Sequence, residues 1–131
     1  MAEEVSADQA LEWVCQHAMK IATETGCIIA DKVEYAHWFP RKLVGLACRP
    51  SISPGEGVVI KGCAWVHTFF MRFAIDILYL NNDARILRID RSVPPWRLLG
   101  RCHGAATVVE LPAGSADMRC LAVGDRLVLL E

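Results

Sequence analysis

No stretch of this chain reaches the roughly 18 uninterrupted apolar residues of a membrane-spanning helix, which excludes a helical membrane protein. The opening segment, MAEEVSADQALEWVCQHAMK, carries acids where a secretion signal needs a basic start followed by an apolar run, so a cytoplasmic location is expected. An excess of charge of one sign is also missing: 14 basic and 15 acidic residues are interspersed, for a net charge of -1. That balance creates no field to gather a phosphate backbone or anionic lipid, so neither nucleic acid nor a membrane is an expected partner. The close basic groups, Arg41/Lys42/Arg49 and Arg85/Arg88/Arg91, read as solvated surface. Paired CxxC spacing is absent. The six cysteines (Cys15, Cys27, Cys48, Cys63, Cys102 and Cys120) therefore read as reduced thiols rather than a disulfide framework. There is no GxSxG elbow, P-loop, HExxH or dinucleotide fingerprint, and no internal repeat or low-complexity stretch.

What is present is apolar. At 131 residues the chain has the length of one domain, and 53% of it is hydrophobic with a mean hydropathy of +0.28. Either the core is unusually full or an apolar face is left for a second copy, and a homodimer is the expectation.

Ser6 followed by Gln9 is a capping-box pattern, and Leu11, Val14, Cys15 and Ala18 recur at helical spacing, which predicts a helical extension over residues 1–17. Residues 18–131 then form one β-rich domain. MKIATETGCIIADKVEYA predicts two extended segments joined at Glu24-Thr25-Gly26. Pro40 and Pro50 bracket a short helix with Leu43, Val44, Leu46 and Ala47 on its buried side, and GVVIKG is a strand. Residues 65–91 predict strand, strand and return strand, with NNDA connecting AIDILYL to RILRID. AATVVELPAG predicts a strand, SADMRC one helical turn and DRLVLLE a closing strand. The fold class is mainly β, a small sandwich or a partly closed barrel with two or three short helices.

RKLVGLACRP, CAWVHTFFMRFAIDILYL, VPPWR, VVELPAG and VGD occur in an order and at separations that resemble the conserved family called domain of unknown function 192. The resemblance covers roughly residues 20–131 and implies a jelly-roll-like β-sandwich, with no activity to carry over. The matched positions are Arg41, Gly45, Leu46, Arg49, Cys63, His67, Met71, Phe73 and Asp76. Pro95, Trp96, Arg97, Glu110, Leu111, Pro112, Gly114, Gly124 and Asp125 complete the match. The chain departs from the pattern at Ala74, where the family has proline, and at Ala47-Cys48, which replace a glycine-containing step.

Two constellations carry chemistry. Cys63 and His67 at i, i+4 would share a metal on a helix, with Cys102-His103 completing a zinc set. Along a strand the same spacing separates them by about 13 Å, so a buried thiol and a bonded histidine are expected, with no metal and no cofactor. His67, Phe69, Met71 and Phe73 share strand parity, either as core or as a pocket wall. The second constellation is Trp96-Arg97, where two prolines stiffen an aromatic plate and a guanidinium, an arrangement that suits a sugar or a small carboxylate. Trp96 as a plug on the end of the sandwich is the equal alternative.

Asp76 shares strand parity with Leu78 and Leu80, too costly a place for a lone carboxylate, so an arginine partner is expected from Arg41, Arg49 or Arg97. Glu110 ends an apolar strand and would form an acid/base pair with Asp76 if the two met. Asp125 reads as a turn residue. Three functions follow. The first is a module binding a small polar, carbohydrate-like ligand through His67, Trp96 and Arg97 at a rim with Asp76 and Glu110 beneath. The second is a hydrolase- or isomerase-type enzyme using His67 with Asp76 or Glu110, and the third is a structural or assembly protein.

Overall fold

Alternation decides where the strands lie. In the computed structural model, which describes residues 19–36 and 50–130, Ile75–Leu80 alternates Ile75, Ile77 and Tyr79 against Asp76, Leu78 and Leu80, and every one of the six is buried. A strand buried on both faces belongs in the middle of a covered sheet. The described strands are β1 (Met19–Thr23), β2 (Ile28–Ala36), β3 (Glu56–Lys61), β4 (Ile75–Leu80), β5 (Ile86–Val93), β6 (Thr107–Pro112) and β7 (Leu127–Leu130). They form a single seven-stranded sheet in the order β5-β4-β6-β3-β2-β1-β7. All its pairings are antiparallel except β2 with β3. The one described helix is α1 (Ser115–Met118).

Turn chemistry sets the hairpins. Gly26, at φ 92, closes the β1–β2 turn, where its N–H donates to Thr23 O at 2.9 Å. Between β4 and β5, Asn81 Oδ1 accepts from Asp83 N at 2.9 Å and Arg85 N at 3.0 Å, an Asx turn at the predicted connection. The chain just before β7 returns to this connection. Ile86 N donates to Asp125 O at 2.8 Å, Leu127 N to Ala84 O at 2.9 Å, and Arg85 bridges Arg126. Among the described residues the fold is mainly β, as expected: the sheet curls towards itself but is not closed, and it is mixed in direction. The predicted helices at residues 6–17 and around 41–49 lie outside the described residues.

The curl divides the core in two. Ile21, Val59, Leu78, Val109, Leu111 and Leu127 pack on the inner face. Val58, Ile75, Ile77, Tyr79 and Val108 pack on the outer face beneath Val66, Met71 and Cys102, from the chain segments that follow β3 and β5. Each fully buried aliphatic side chain contributes about 1.5–3 kcal/mol, so covering the outer face makes those segments part of the fold.

One correction concerns these segments. The strand predicted for residues 65–73 is irregular chain whose one extended contact is the isolated bridge His67↔Leu98. Its aromatic content mimics a strand, but Phe70 at φ 66 turns the backbone out of the extended region.

Arg88 is a second correction, since it is not solvated surface. Its guanidinium lies 4.0 Å from the Tyr79 ring centroid, and its Nη2 donates to Asp90 Oδ2 at 3.1 Å and Gly100 O at 2.8 Å. The Tyr79 hydroxyl donates to the same Asp90 oxygen at 2.9 Å. Burial, and after it the bond to Asp90, pushes the phenol above its ordinary pKa. Tyr79→Phe should cost about 1 kcal/mol in urea unfolding, the worth of one such bond, and a loss well below that would mean the hydroxyl is not bonded in solution.

Candidate functional site

Thr68 is fully buried and joins the two outer segments. Its hydroxyl donates to Pro94 O at 2.7 Å and accepts from Arg97 N at 2.9 Å. Its backbone N–H donates to Arg97 O at 2.8 Å, while its carbonyl accepts from Trp96 N at 2.9 Å and Met71 N at 3.2 Å. Leu99 N adds a bond to Val66 O at 3.0 Å. Residues 66–71 and 94–99 are thereby held as one unit, and Pro94-Pro95 limits the freedom of the second segment.

That unit presents two aromatic side chains to solvent in an unusual way. Phe70 is 62% exposed at φ 66, and Trp96 is 57% exposed at φ 64. Their ring centroids are 4.8 Å apart with planes at 60°. A left-handed conformation costs a residue with a Cβ about 1–2 kcal/mol, and exposed rings recover little of that by burial. His67 stacks on Phe69 with centroids 4.9 Å apart, and Phe69 approaches Trp96 at 6.1 Å. His67 Nδ1 accepts from Phe69 N at 3.2 Å, which leaves Nε2 as the ring atom free to meet a partner. Leu98 is also exposed, as are Arg97, next in sequence to Trp96, and Arg72, two residues beyond Phe70.

Of the five expected site residues, the structure gathers His67, Trp96 and Arg97. Asp76 is elsewhere. It projects from the inner face of β4, where Oδ1 accepts from Ser92 N at 2.8 Å and Oδ2 from Ala116 N at 2.8 Å. Ser92 lies in a bulge, at φ 48, where the β4–β5 register shifts between Ile75 and Ile77. Ala116 N belongs to the first turn of α1, which Gly114 enters at φ 89. Asp76 thus accepts from two backbone amides, and among the described residues no ion pair joins it to Arg97; Arg41 and Arg49, the other expected partners, lie outside the described residues.

Glu110 sits opposite Ile77 on β6, one position out of phase with the Asp76–Leu111 pair. The two carboxylates therefore point to opposite faces of the sheet, and the acid/base pair is not formed. Glu110 shares the outer face with Val108, beneath the segments that carry the aromatic rim. It is buried, no side-chain hydrogen bond or ion pair joins it to another described residue, and burial raises its pKa to about 7.

The cysteines take simple roles. Cys63 Sγ donates to Trp65 O at 2.7 Å, Cys102 is buried in the outer core, and both are free thiols. The argument that a strand keeps Cys63 and His67 apart fails, because this segment is not a strand. Among the described residues no group of three or more His, Cys, Asp or Glu side chains converges.

Sequence reasoning missed Thr68 and Phe70. Strand parity put both on a face away from His67. A signal was present in the threonine flanked by aromatics and in the double proline ahead of Trp96.

Over residues 19–129 the chain matches the model of domain of unknown function 192, described as "Uncharacterized ACR". The chain belongs to this family. A UPF0127 protein of Thermococcus sibiricus is similar at 26% identity over 113 residues, spanning 83% of this chain and 73% of that protein. Another UPF0127 protein, from Pyrococcus abyssi, is 28% identical over 102 residues, spanning 73% of this chain and 84% of its own. Two crystal structures resemble the fold. One, of a candidate transcription regulator from Sinorhizobium meliloti, has a TM-score of 0.74 at 24% identity and covers 84% of this chain and 90% of that one. The other, a protein of unknown function from Novosphingobium aromaticivorans, has a TM-score of 0.73 at 19% identity and covers 85% of this chain and 83% of that one. At these identities the two structures speak to the fold of the domain of unknown function 192 family alone. Among the described residues of this member no helix is long and apolar enough to cross a membrane.

Proposed function

We propose that this chain is a binding module that takes a small polar, carbohydrate-like ligand at the rim formed by Phe70, Trp96, His67 and Arg97. One observation carries the reading: two exposed aromatic residues, 4.8 Å apart, are both held at positive φ by bonds through a buried threonine. Strain kept at exposed positions is a frequent mark of a functional surface. Aromatic faces suit the C–H faces of a sugar ring, while a histidine Nε2 and a guanidinium suit its oxygens. Glu110 lies on the same sheet face as the rim segments, and Asp76 leaves the expected site for the reasons of register given above.

Isothermal titration of the full chain against mono- and disaccharides tests this. Wild type should bind at least one sugar saturably, and Phe70→Gly and Trp96→Gly should each abolish binding. Both variants should keep a stability within about 0.5 kcal/mol of wild type, because relief of left-handed strain offsets the entropy glycine adds to the unfolded chain. Loss of about 2 kcal/mol or more in either variant would make the rings structural plugs instead. Absence of saturable binding to any sugar would overturn the ligand class.

A further inference from the structure

The two segments that build the rim contain no acid. Between Gly62 and Ala74 and between Pro94 and Ala106 there is no Asp or Glu, although these make up 15 of the 131 residues. The same segments carry Arg72, Arg97 and Arg101, all exposed. None of the three makes an ion pair or side-chain hydrogen bond among the described residues. Arginines elsewhere mostly do: Arg85 donates to Gly124 O, Arg88 and Arg91 pair with Asp90 and Asp117, and Arg126 pairs with Glu24. Away from these segments Arg119 alone among the described arginines shares the unbonded state.

Arg97 directly follows Trp96, and Arg72 is two residues beyond Phe70, so each segment that contributes a ring to the strained aromatic pair also carries an exposed arginine close to that ring in sequence. Planar guanidinium groups recognise carboxylate and phosphate through paired N–H donors, and among the described residues no carboxylate pairs with Arg72 or Arg97 to compensate that attraction. Resting on the rim reading above, we infer that the ligand is an acidic saccharide, a sugar ring bearing a carboxylate or phosphate, with the ring on Phe70 and Trp96 and the anion between Arg72 and Arg97. The chain's balanced net charge does not oppose this, because the selectivity comes from charges within a Debye length of the site, about 8 Å at physiological salt.

The test is titration of the full chain with glucose, glucuronate, glucose 6-phosphate and inorganic phosphate. Glucuronate and glucose 6-phosphate should bind about tenfold more tightly than glucose, the effect of one charge-assisted contact. That preference should shrink as sodium chloride is raised and disappear in an Arg72→Gln/Arg97→Gln double variant. The double variant should unfold at the wild-type temperature, since both residues are exposed and unbonded. Equal affinity for glucose and the two acidic sugars would overturn the inference while leaving the rim as a sugar site. Inorganic phosphate binding as tightly as glucose 6-phosphate would overturn it in favour of a simple anion site. Binding of none of the four would overturn both this inference and the rim reading.

Discussion

Asp76→Ala is expected to destabilise the fold by about 3–5 kcal/mol, measured as the change in urea unfolding free energy. The substitution leaves two buried donors, Ser92 N and Ala116 N, without the acceptors they have at 2.8 Å, and each orphaned amide costs about 1–3 kcal/mol. The carboxylate also holds three elements together. It stands on β4, closes the bulge of β5 at Ser92 and caps the first turn of α1, so its removal loosens all three at once. Asp76→Asn should cost less, about 2 kcal/mol, because one oxygen remains to accept while the new NH₂ faces a donor. An unchanged midpoint for the alanine variant would show that the bonds do not form in solution, and would return Asp76 to the list of functional residues.

Glu110→Gln should have the opposite sign. Burial raises the folded-state pKa of Glu110 from 4.5 to about 7, so the group destabilises the fold wherever it would otherwise ionise. Below pH 4.5 both folded and unfolded chains carry the proton, and nothing is lost. As pH rises from 4.5 towards 7 the unfolded chain releases the proton while the folded chain retains it, and stability falls. Above about pH 7 the loss is complete, at about 3 kcal/mol for a displacement of this size at 1.36 kcal/mol per pH unit. Glutamine keeps the neutral shape. The variant should therefore match wild type near pH 4 and exceed it by about 3 kcal/mol at pH 8. Other titrating groups are common to both proteins, so the difference between their urea midpoints isolates Glu110. A difference that does not change with pH would mean that Glu110 ionises freely in the folded chain.

Both predictions concern carboxylates that the sequence picks out and whose roles it leaves open. Asp76 and Glu110 stand out because each interrupts an apolar strand, and a charge in such a place needs a reason. The expected reason, a shared cleft or an arginine, depends on register. Pairing Asp76 with Leu111 rather than with Glu110 turns the two carboxylates to opposite faces. Nothing in either strand's own pattern specifies that offset, because every residue of β4 is buried and the usual contrast of polar and apolar faces is missing.

The rim shows the same division. Aromatic, proline and arginine content in residues 65–74 and 94–101 marks both segments as unusual, and Trp96-Arg97 is legible as a rigid pair. The strand expected over residues 65–73 nonetheless does not form, since β-branched and aromatic residues favour strands only where a partner strand and an extended backbone exist. Thr68 pairs instead with the chain after Pro94, and Phe70 leaves the extended region.

By itself the sequence determined the family, the mainly β class, the β1–β2 and β4–β5 turns and the short turn at α1, because these rest on local patterns: alternation, Gly26 at a turn, Asn81 as an Asx residue and a set of ordered motifs. Tertiary structure alone decided that the described strands join in one curled mixed sheet, that Asp76 binds amides across three elements, and that Phe70 joins Trp96 at the rim. Each of these depends on contacts between residues far apart in the chain, as with Thr68 and Pro94 or Asp76 and Ala116, and the free energy of such contacts is set by register and closure that no local pattern encodes.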